Sequence, residues 1–304
     1  MINFILRNCP VCRLSPMGGT VHIESNFDVE QINSFSFASR KFPEYMFHRY
    51  IRCGQCQALF ASPVPELTEL QNLYDDADFD SGEESNYAAE TYLDVLMKKG
   101  PLSYPLSDVL DIGASDGKFL YELKRNGFNR LIGVEPSRKP IEHAPPGIRD
   151  LIIHNIFHKD MFSPESFSLV TCFQTMEHVP DPCDLAQNVL KVLKPGGVFF
   201  IISHDYTSMC NKILGKKSPI YDIEHMQIFC PAAMRYLLEE VGYQHVSVFP
   251  VLNTYPLSYW IKLAPLGHQI KHKFIDYIHK SRLRHITLSL PVGNMAIFAT
   301  KSVS

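Results

Sequence analysis

Beyond residue 107, short apolar runs alternate with segments of helical spacing. Six runs have the length of buried strands: residues 109–112, 131–134, 151–153, 169–173, 198–202 and 246–249. Between them, apolar positions recur at helical intervals, most clearly over residues 183–193 and 231–241. Continuous apolar strands that alternate with helices are typical of a parallel sheet with helical crossovers. The pattern therefore predicts an α/β fold for residues 101–304.

The chain before this region divides into two segments. Residues 1–65 form a cysteine-bearing module that closes at a pair of prolines. Residues 66–100 have the leucine spacing of a helical connector, interrupted at 75–84 by an acidic stretch that we interpret as a solvated loop. A Gly-Pro pair at 100–101 marks the boundary with the α/β region.

Four of the eight cysteines form two Cys-x-x-Cys pairs, Cys9 with Cys12 and Cys53 with Cys56. In a reducing compartment, such pairs are typical of metal ligands rather than disulfides. Two knuckles aim four thiolates at one ion and complete a tetrahedral zinc site. The spacing therefore predicts a structural zinc ribbon, in which Gly54 suits the tight second knuckle. A redox-active Cys-x-x-Cys or a chance pairing is the alternative.

Composition and charge narrow the function classes. Of the 304 residues, 45% are hydrophobic and 20% charged, so the chain is able to bury a sizeable core. A formal net charge of −3 argues against a protein that mainly neutralises nucleic-acid phosphates. No apolar run reaches the roughly 18 residues of a membrane span, and the first residues lack a signal-peptide pattern. We expect a cytoplasmic protein without a nucleic-acid partner.

Acidic residues frame the loop that follows the first strand of the α/β region. Asp111 precedes Gly113 and Asp116 precedes Gly117, while small residues between them let the backbone approach a ligand closely. This framing disfavours a pyrophosphate and suits a cationic ligand with an ammonium or sulfonium group. Glu135 follows the second strand, where a carboxylate accepts hydrogen bonds from the hydroxyls of a ribose.

Further motifs follow this loop in a set order. They are residues 167–172, 176–179, the Lys-Pro-Gly-Gly at 194–197, 240–243 and 294–299. As a set, these motifs resemble the class I S-adenosylmethionine-dependent methyltransferases over about residues 101–250. The resemblance implies a Rossmann-like, seven-stranded methyltransferase sheet with an antiparallel last strand.

The resemblance also implies an S-adenosylmethionine site. Gly113 and its neighbours would pass the methionine portion, Glu135 would hold the ribose, and Asp111 would orient the loop or meet the ammonium. Asn155 is expected on the adenine amino group, with Asp160 as a rival. The expected cofactor-binding residues are Asp111, Gly113, Ala114, Ser115, Gly117, Glu135, Pro136, Asn155, Ile156, Gln174 and Thr175. The last two of these would face the methyl donor.

A four-cysteine module ahead of this fold is similar to the zinc-ribbon methyltransferases that tailor sugars and natural products. The resemblance implies a Glu-His pair over the acceptor at Glu224 and His225, with Tyr221 near their active-site tyrosine. We find no counterpart of the further C-terminal domain of the sugar C-methyltransferases, and therefore expect hydroxyl methylation. An alcohol acceptor needs a general base, for which His225, His178 and His204 are the candidates.

Residues 251–290 form an unusual insertion between the sixth and seventh strands. An aromatic, apolar segment at 255–263 precedes a basic stretch that reaches residue 285. The combination favours peripheral contact of 255–285 with a membrane surface, a lid over the acceptor site, or contacts to the phosphates of a linked sugar. A packed helix with a solvated basic face is the alternative.

The sequence thus predicts an enzyme that moves a methyl group from S-adenosylmethionine to a hydroxyl of a sugar, glycan or related small metabolite. Carbon or nitrogen methylation of a nucleotide-linked sugar is a second interpretation. A nicotinamide-dependent oxidoreductase and a non-catalytic zinc-binding adaptor are alternatives from other classes. The acidic framing of the loop disfavours the oxidoreductase, and the intact cofactor loop disfavours the adaptor.

Overall fold

The computed structural model describes residues 4–28, 46–65, 84–101, 107–263 and 268–303. The strands of these residues are β1 (Phe4–Ile5), β2 (Gly19–Ile23), β3 (Tyr50–Cys53), β4 (Leu59–Ala61), β5 (Val64–Pro65), β6 (Asp108–Ile112), β7 (Arg130–Glu135), β8 (Ile152–His154), β9 (Phe167–Phe173), β10 (Leu193–His204), β11 (Gln227–Ile228), β12 (Gln244–Pro256) and β13 (Thr287–Thr300). Their α-helices are α1 (Glu84–Lys99), α2 (Lys118–Arg125), α3 (Arg138–Glu142), α4 (Pro182–Val192), α5 (Met209–Leu214), α6 (Pro231–Val241), α7 (Leu257–Leu263) and α8 (His268–Lys280).

The large sheet has the strand order β12-β13-β10-β9-β6-β7-β8. Strands β8, β7, β6, β9 and β10 are parallel, and β13 lies antiparallel between β10 and β12. This order confirms the predicted Rossmann-like sheet of seven strands and its antiparallel last strand. It also brings the carboxyl ends of β6, β7, β9 and β10 to one edge, where open α/β sheets bind their ligands.

Local signals explain where the two predicted helices begin and end. Helix α4 begins after Asp181, whose carboxylate accepts two backbone N–H groups at 3.1 Å, and Pro182 occupies the first turn. Helix α6 begins at Pro231 and ends where Gly242 adopts a φ of 109°. Both helices lie within one residue of their predicted bounds.

The N-terminal module contributes a small antiparallel sheet of order β11-β4-β3-β2. Its edge strand β11 comes from the α/β region, with Gln227 opposite Phe60 and Ile228 opposite Leu59. A single buried cluster contains apolar side chains from both parts, Phe60 and Phe229 among them. The module predicted for residues 1–65 therefore shares both a sheet and a core with the α/β region.

Helix α1 forms the C-terminal part of the predicted connector. Tyr92, Leu93 and Leu96 are buried on its inner face, which packs against α2 and β12. Residues 66–83, which include most of the predicted acidic loop, lie outside the described residues. The helix thus covers one face of the sheet close to the loop that follows β6.

Strands β12 and β13 continue into the segment 251–290, which the sequence assigns to an insertion. Cross-strand pairs extend from Asn253 opposite Leu290 to Pro256 opposite Thr287. The sixth strand is therefore longer than its apolar run predicts, because pairing with β13 continues where the apolar pattern stops. Helices α7 and α8 occupy the turn between the two strands.

Helix α8 presents aromatic side chains at its surface, since Phe274 and Tyr277 are 51% and 64% exposed. Within the described residues, no helix combines the length and apolarity needed to span a membrane. The peripheral membrane contact of residues 255–285 stays a prediction.

Candidate active site and four-cysteine centre

The loop after β6 lies between the ends of β7 and β9. The N–H groups of Gly113 and Ala114 both donate to the carbonyl of Val134, at 2.9 and 3.1 Å. Gly113 has a φ of +75°, and a Cβ there would lie 2.3 Å from Oγ1 of Thr175. Only glycine fits this conformation without displacing Thr175. The predicted Gly113 and Thr175 are thus in contact, and Gly117 forms the N-cap of α2.

Glu135 fastens this loop to the end of β7. Its carboxylate accepts hydrogen bonds from the backbone N–H of Ser115 at 2.8 Å and of Ser137 at 2.9 Å. The residue is 7% exposed, and burial raises the pKa of Glu135 above its ordinary value. The neighbouring Pro136 is exposed, and its carbonyl accepts from His154 at 2.8 Å.

Two acidic residues framing the loop have structural partners. Asp111 is buried and accepts a 2.6 Å hydrogen bond from the hydroxyl of Thr171 on β9. Burial raises the pKa of Asp111 to about 7, although the Thr171 bond opposes the shift. Asp116 accepts from the hydroxyl of Ser85 on α1 at 3.2 Å. Of its two predicted roles, this geometry favours Asp111 as the residue that orients the strand end.

The residues predicted for adenine lie at the end of β8. The N–H of Asn155 donates to the Glu135 carbonyl at 3.1 Å. Asn155 therefore lies beside the residue whose carboxylate is predicted to hold the ribose. Its side-chain oxygen accepts from the N–H of Ile156 at 2.8 Å, and both residues are exposed. The rival Asp160 is also exposed and borders a surface cleft with Lys159.

The end of β9 carries the residues predicted to face the methyl donor. Gln174 has a φ of 48°, and its N–H donates to the Ile202 carbonyl of β10 at 2.7 Å. Its side-chain amide lies 3.3 Å from the hydroxyl of Tyr92, which links β9 to helix α1. Sequence reasoning did not identify Tyr92, because a buried tyrosine on a helix has the pattern of a core residue.

This strand edge fits S-adenosylmethionine. A buried carboxylate at the end of β7 offers acceptors for ribose hydroxyls, and the loop after β6 lies against β9 without an intervening side chain at Gly113. Asp111 and Asp116 frame the loop, and the negative charge that they carry when ionised favours a cationic ligand. The residues predicted from sequence for this cofactor therefore lie along one edge of the sheet.

The three histidines proposed as general bases lie together. The rings of His178 and His225 are 4.8 Å apart between centroids, and those of His204 and His225 are 5.2 Å apart. His178 follows β9, His204 is the last residue of β10, and His225 follows α5, so the fold assembles them from positions distant in sequence. His225 lies between the other two in this histidine cluster.

Backbone and amide oxygens orient two of the rings. His225 Nδ1 lies 2.7 Å from the carbonyl of Ile220, and since a carbonyl only accepts, Nδ1 donates. His204 Nδ1 likewise lies 2.9 Å from Oδ1 of Asn294. When either ring is neutral, its lone pair is therefore on Nε2. Asn294 in turn donates to Asn253 at 3.1 Å.

His178 has a different environment. Burial, together with the charges of His225 and His204, holds the pKa of His178 well below its ordinary value. Interactions of the ring with the backbone of Glu224 and Gln174 oppose this shift. His178 is therefore a neutral ring held between two backbone segments.

The structure places the other two predicted acceptor-side residues in the same loop region as His225. The Ile220 carbonyl orients the His225 ring through Nδ1, and Glu224 directly precedes His225 in the chain. The hydroxyl of Tyr221 hydrogen-bonds Nε2 of His22 at 2.8 Å, and its ring packs near Tyr50. Tyr221 is thereby attached to the N-terminal sheet, an arrangement that its spacing from Glu224 does not reveal.

Glu177 is a buried acid at this edge. Its Oε1 accepts from the hydroxyl of Ser203 and from the N–H of His204, both at 2.7 Å. Among the described residues, Oε2 has no hydrogen-bond partner. The Glu177 carboxylate thus fixes the end of β10 at the point where His204 leaves the sheet. The motif at 176–179 marked this residue without indicating that role.

An aromatic cluster borders the same edge. Its members come from α1, the extended part of β12 and α7, and they are Tyr87, Tyr92, Tyr255, Tyr259 and Trp260. Tyr255 is the centre, with ring centroids 4.6 Å from Tyr259, 5.3 Å from Trp260 and 6.3 Å from Tyr87. The hydroxyl of Tyr255 accepts from Asn253 at 3.2 Å, so the cluster connects to His204 through two asparagines.

The four predicted metal ligands converge in the N-terminal module. The Sγ atoms of Cys9, Cys12, Cys53 and Cys56 all lie within 4.8 Å of one another. Cys9 is 3.4 Å from Cys56, and Cys12 is 3.3 Å from Cys53. A tetrahedral ion with Zn–S bonds of about 2.3 Å needs sulfurs about 3.8 Å apart, which this spacing nearly matches. The donor set fits zinc.

The two cysteine knuckles have the same backbone geometry. Cys9 and Cys53 each donate N–H to the carbonyl five residues on, at 2.8 and 2.9 Å. The residues four positions on, Arg13 and Gln57, have φ values of 64° and 67°. Gly54 is required for another reason, since a Cβ there would lie 2.4 Å from the carbonyl of Gly18.

Comparison with known proteins agrees with this geometry. Residues 83–248 match the family model of a methyltransferase domain, so the chain belongs to this family. It is an S-adenosylmethionine-dependent methyltransferase. The family match argues against the two alternatives from other classes, the nicotinamide-dependent oxidoreductase and the non-catalytic adaptor.

Curated relatives include ubiquinone biosynthesis O-methyltransferases. That of Aliivibrio fischeri (strain ATCC 700601 / ES114) is 26% identical over 168 residues, which cover 49% of this chain and 71% of the relative. That of Vibrio cholerae (strain ATCC 39541) is 27% identical over 169 residues, covering 49% and 68%. A solved methyltransferase from Archaeoglobus fulgidus is 20% identical with a TM-score of 0.49, covering 78% of this chain and all of that one.

Glu135→Gln tests the cofactor side. The new amide group cannot accept both backbone N–H groups that the carboxylate holds, and it lacks the charge that strengthens hydrogen bonds to ribose. We expect S-adenosylhomocysteine to bind roughly ten- to hundredfold more weakly, the range for a lost hydrogen bond to a charged group. Isothermal titration calorimetry measures this, with Glu142→Gln at an exposed site as the control. Unchanged affinity would remove Glu135 from the cofactor site.

Metal analysis tests the four-cysteine centre. Protein purified without added metal should contain one zinc per chain by inductively coupled plasma mass spectrometry, because four convergent sulfurs complete a tetrahedral site. Cys53→Ser should lose it, whereas Cys210→Ser on α5 should keep it. A wild-type protein free of zinc, or Cys53→Ser with full zinc, would contradict the assignment.

Proposed function

We propose that the protein methylates a hydroxyl group of a sugar, glycan or related ring-bearing small metabolite, with His225 as general base. The observation that carries this proposal is the histidine cluster at the carboxyl edge of the sheet, in which the Ile220 carbonyl orients the His225 ring. A base in this position is needed for an alcohol acceptor, which must lose its proton as the new bond forms.

The chemistry divides between the cofactor and the chain. When bound, S-adenosylmethionine supplies an electrophilic methyl group on a sulfonium, so no further activation of the donor is needed. The chain aligns the acceptor hydroxyl for in-line attack and excludes water. As the oxygen bonds to the methyl carbon, Nε2 of His225 takes the hydroxyl proton. A methyl ether and S-adenosylhomocysteine are the products.

Neighbouring groups assist His225 without competing for the proton. His178 is held neutral by burial and presents no positive charge to the developing imidazolium. His204 is positioned by Asn294 and by the Glu177 carboxylate at its backbone N–H, and it has the orientation to bind a second acceptor oxygen. Glu224 and Tyr221 stay in the same loop as His225, where we propose that they shape the acceptor site.

The aromatic cluster supports a ring-bearing acceptor. Tyr255, Tyr259 and Trp260 are partly or largely buried, and aromatic faces stack on the apolar faces of sugar rings as well as on aromatic rings. The hydrogen bonds from Tyr255 through Asn253 and Asn294 place this cluster next to His204. An acceptor ring against these side chains would direct a hydroxyl towards the histidine cluster.

A phenolic hydroxyl is the second candidate acceptor. The curated relatives are named as O-methyltransferases of ubiquinone biosynthesis, which favours oxygen as the acceptor atom. The aromatic cluster accommodates a planar ring equally well. We therefore test phenolic metabolites together with sugars in the same turnover screen.

A turnover screen tests the acceptor atom. Nucleotide sugars, glycans and phenolic metabolites are incubated with isotopically labelled S-adenosylmethionine, and the product is examined by NMR. We expect the new methyl carbon to have the shift of a carbon bonded to oxygen. A methyl group on carbon or nitrogen would overturn hydroxyl methylation and support the alternative of a C- or N-methyltransferase.

His225→Ala tests the base. Removal of a general base is expected to lower kcat by about 10²- to 10⁴-fold while the affinity for S-adenosylhomocysteine stays nearly constant, because Val134 and Glu135 hold the cofactor loop. Steady-state kinetics and calorimetry measure the two effects. His158→Ala, at an exposed site, serves as the matched control. Full activity in His225→Ala would transfer the role to His178 or His204.

A further inference from the structure

We propose that Tyr50 is a positioning residue for His225, through which the four-cysteine module sets the acceptor side of the active site. This inference rests on the proposed function of His225 as the base. The two residues are 175 positions apart in sequence, and Tyr50 contacts neither the cofactor loop nor the histidine rings through its hydroxyl.

Tyr50 holds the backbone of the loop that carries His225. Its hydroxyl lies 2.6 Å from the carbonyl of His225 and 2.9 Å from that of Asp222. Both acceptors are backbone oxygens, so the hydroxyl donates to the pair. Tyr50 is completely buried, and burial raises its pKa well above the ordinary value, so the donor proton is retained. The contact therefore fixes two points of the loop.

Other groups of the module hold the neighbouring carbonyls. His48 Nε2 donates to Ile223 at 2.9 Å, and burial lowers the pKa of His48 to about 4, so its ring is neutral. The carbonyl of Met226 accepts from Arg7 at 2.9 Å and from the N–H of Ala61 at 2.8 Å. Four of the five carbonyls from residue 222 to 226 therefore accept hydrogen bonds from the N-terminal module.

The remaining carbonyl of this loop belongs to Glu224, whose backbone interacts with the His178 ring. Asp222 forms a turn within the loop, because its side chain accepts from the N–H of Glu224 at 3.1 Å and its carbonyl from the N–H of His225 at 3.2 Å. The hydrogen bonds from the N-terminal module hold this turn, and with it the His225 ring, against the rest of the protein.

Tyr50 also connects the loop to the metal ligands. It begins β3, the strand that ends at Cys53, and pairs with Ala61 of β4. Zinc at the four sulfurs would fix the end of this strand and thereby the position of Tyr50. The cofactor loop is held by Val134 and Glu135 instead, outside the N-terminal module. The module is thus expected to control the acceptor side and leave cofactor binding unaffected.

Tyr50→Phe in the zinc-loaded, full-length protein tests the proposal. We expect kcat to fall about tenfold, with less than a twofold change in the affinity for S-adenosylhomocysteine and in zinc content. Hydrogen exchange of the amides in residues 222–226 should accelerate. The matched control is Tyr243→Phe, because Tyr243 is also a buried tyrosine whose hydroxyl donates to a carbonyl, that of Ala186 at 2.9 Å.

A double-mutant cycle separates positioning from a general structural effect. If Tyr50 acts through His225, adding Tyr50→Phe to His225→Ala should lower kcat no further. An equal loss in both backgrounds, full kcat in Tyr50→Phe, or the same loss in Tyr243→Phe would overturn the proposal. If His225→Ala is fully active, the base assignment fails instead, and the exchange rate of residues 222–226 in Tyr50→Phe then decides whether Tyr50 holds the loop.

Chelation of the metal tests the connection to the cysteines. Removal of zinc should accelerate amide exchange in residues 222–226 while S-adenosylhomocysteine binds as before. Unchanged exchange in the metal-free protein would overturn the connection.

Discussion

The parallel alignment of β6, β7, β9 and β10 is the constraint from which the cofactor side of the site follows. Because these strands point the same way, Asp111, Glu135 and Gln174 emerge at one edge although they are far apart in sequence. The Glu135 carboxylate then joins the ends of two strands by accepting N–H groups from two loops. Glu135 is buried in this position, and the loss of water around its carboxylate raises its pKa.

The acceptor side depends on a different kind of constraint. The loop that carries His225 has little regular structure of its own, and carbonyls along it are held by side chains of the N-terminal module. A module of this size can bury only a small hydrophobic core of its own. Fusion with the larger core and four convergent sulfurs supply the stability that the strands lack.

Much of the fold is predictable from the sequence because strands buried on both faces appear as continuous apolar runs. The candidate cofactor residues can be chosen for a related reason, since Glu135 and Gly113 are defined by their distance from a strand end. The role of Tyr50 is not predictable from the sequence. Its hydroxyl donates to backbone carbonyls 172 and 175 residues away, and a backbone acceptor leaves no partner side chain in the sequence. Strand β11 escapes prediction too, since two residues are too few to form a pattern.

The two constraints divide the active site physically. One set of contacts lies along the β6 to β9 edge, where we propose that the methyl donor binds. The other set, from Arg7, His48 and Tyr50, comes from the N-terminal module with its own candidate metal ligands, and we propose that it positions the base. The hydrogen bonds described for the cofactor loop and those described for the His225 loop come from different residues, so a substitution on one side leaves the described bonds of the other side in place. Such an arrangement lets one donor site serve different acceptors through changes confined to the module, the His225 loop and the aromatic cluster.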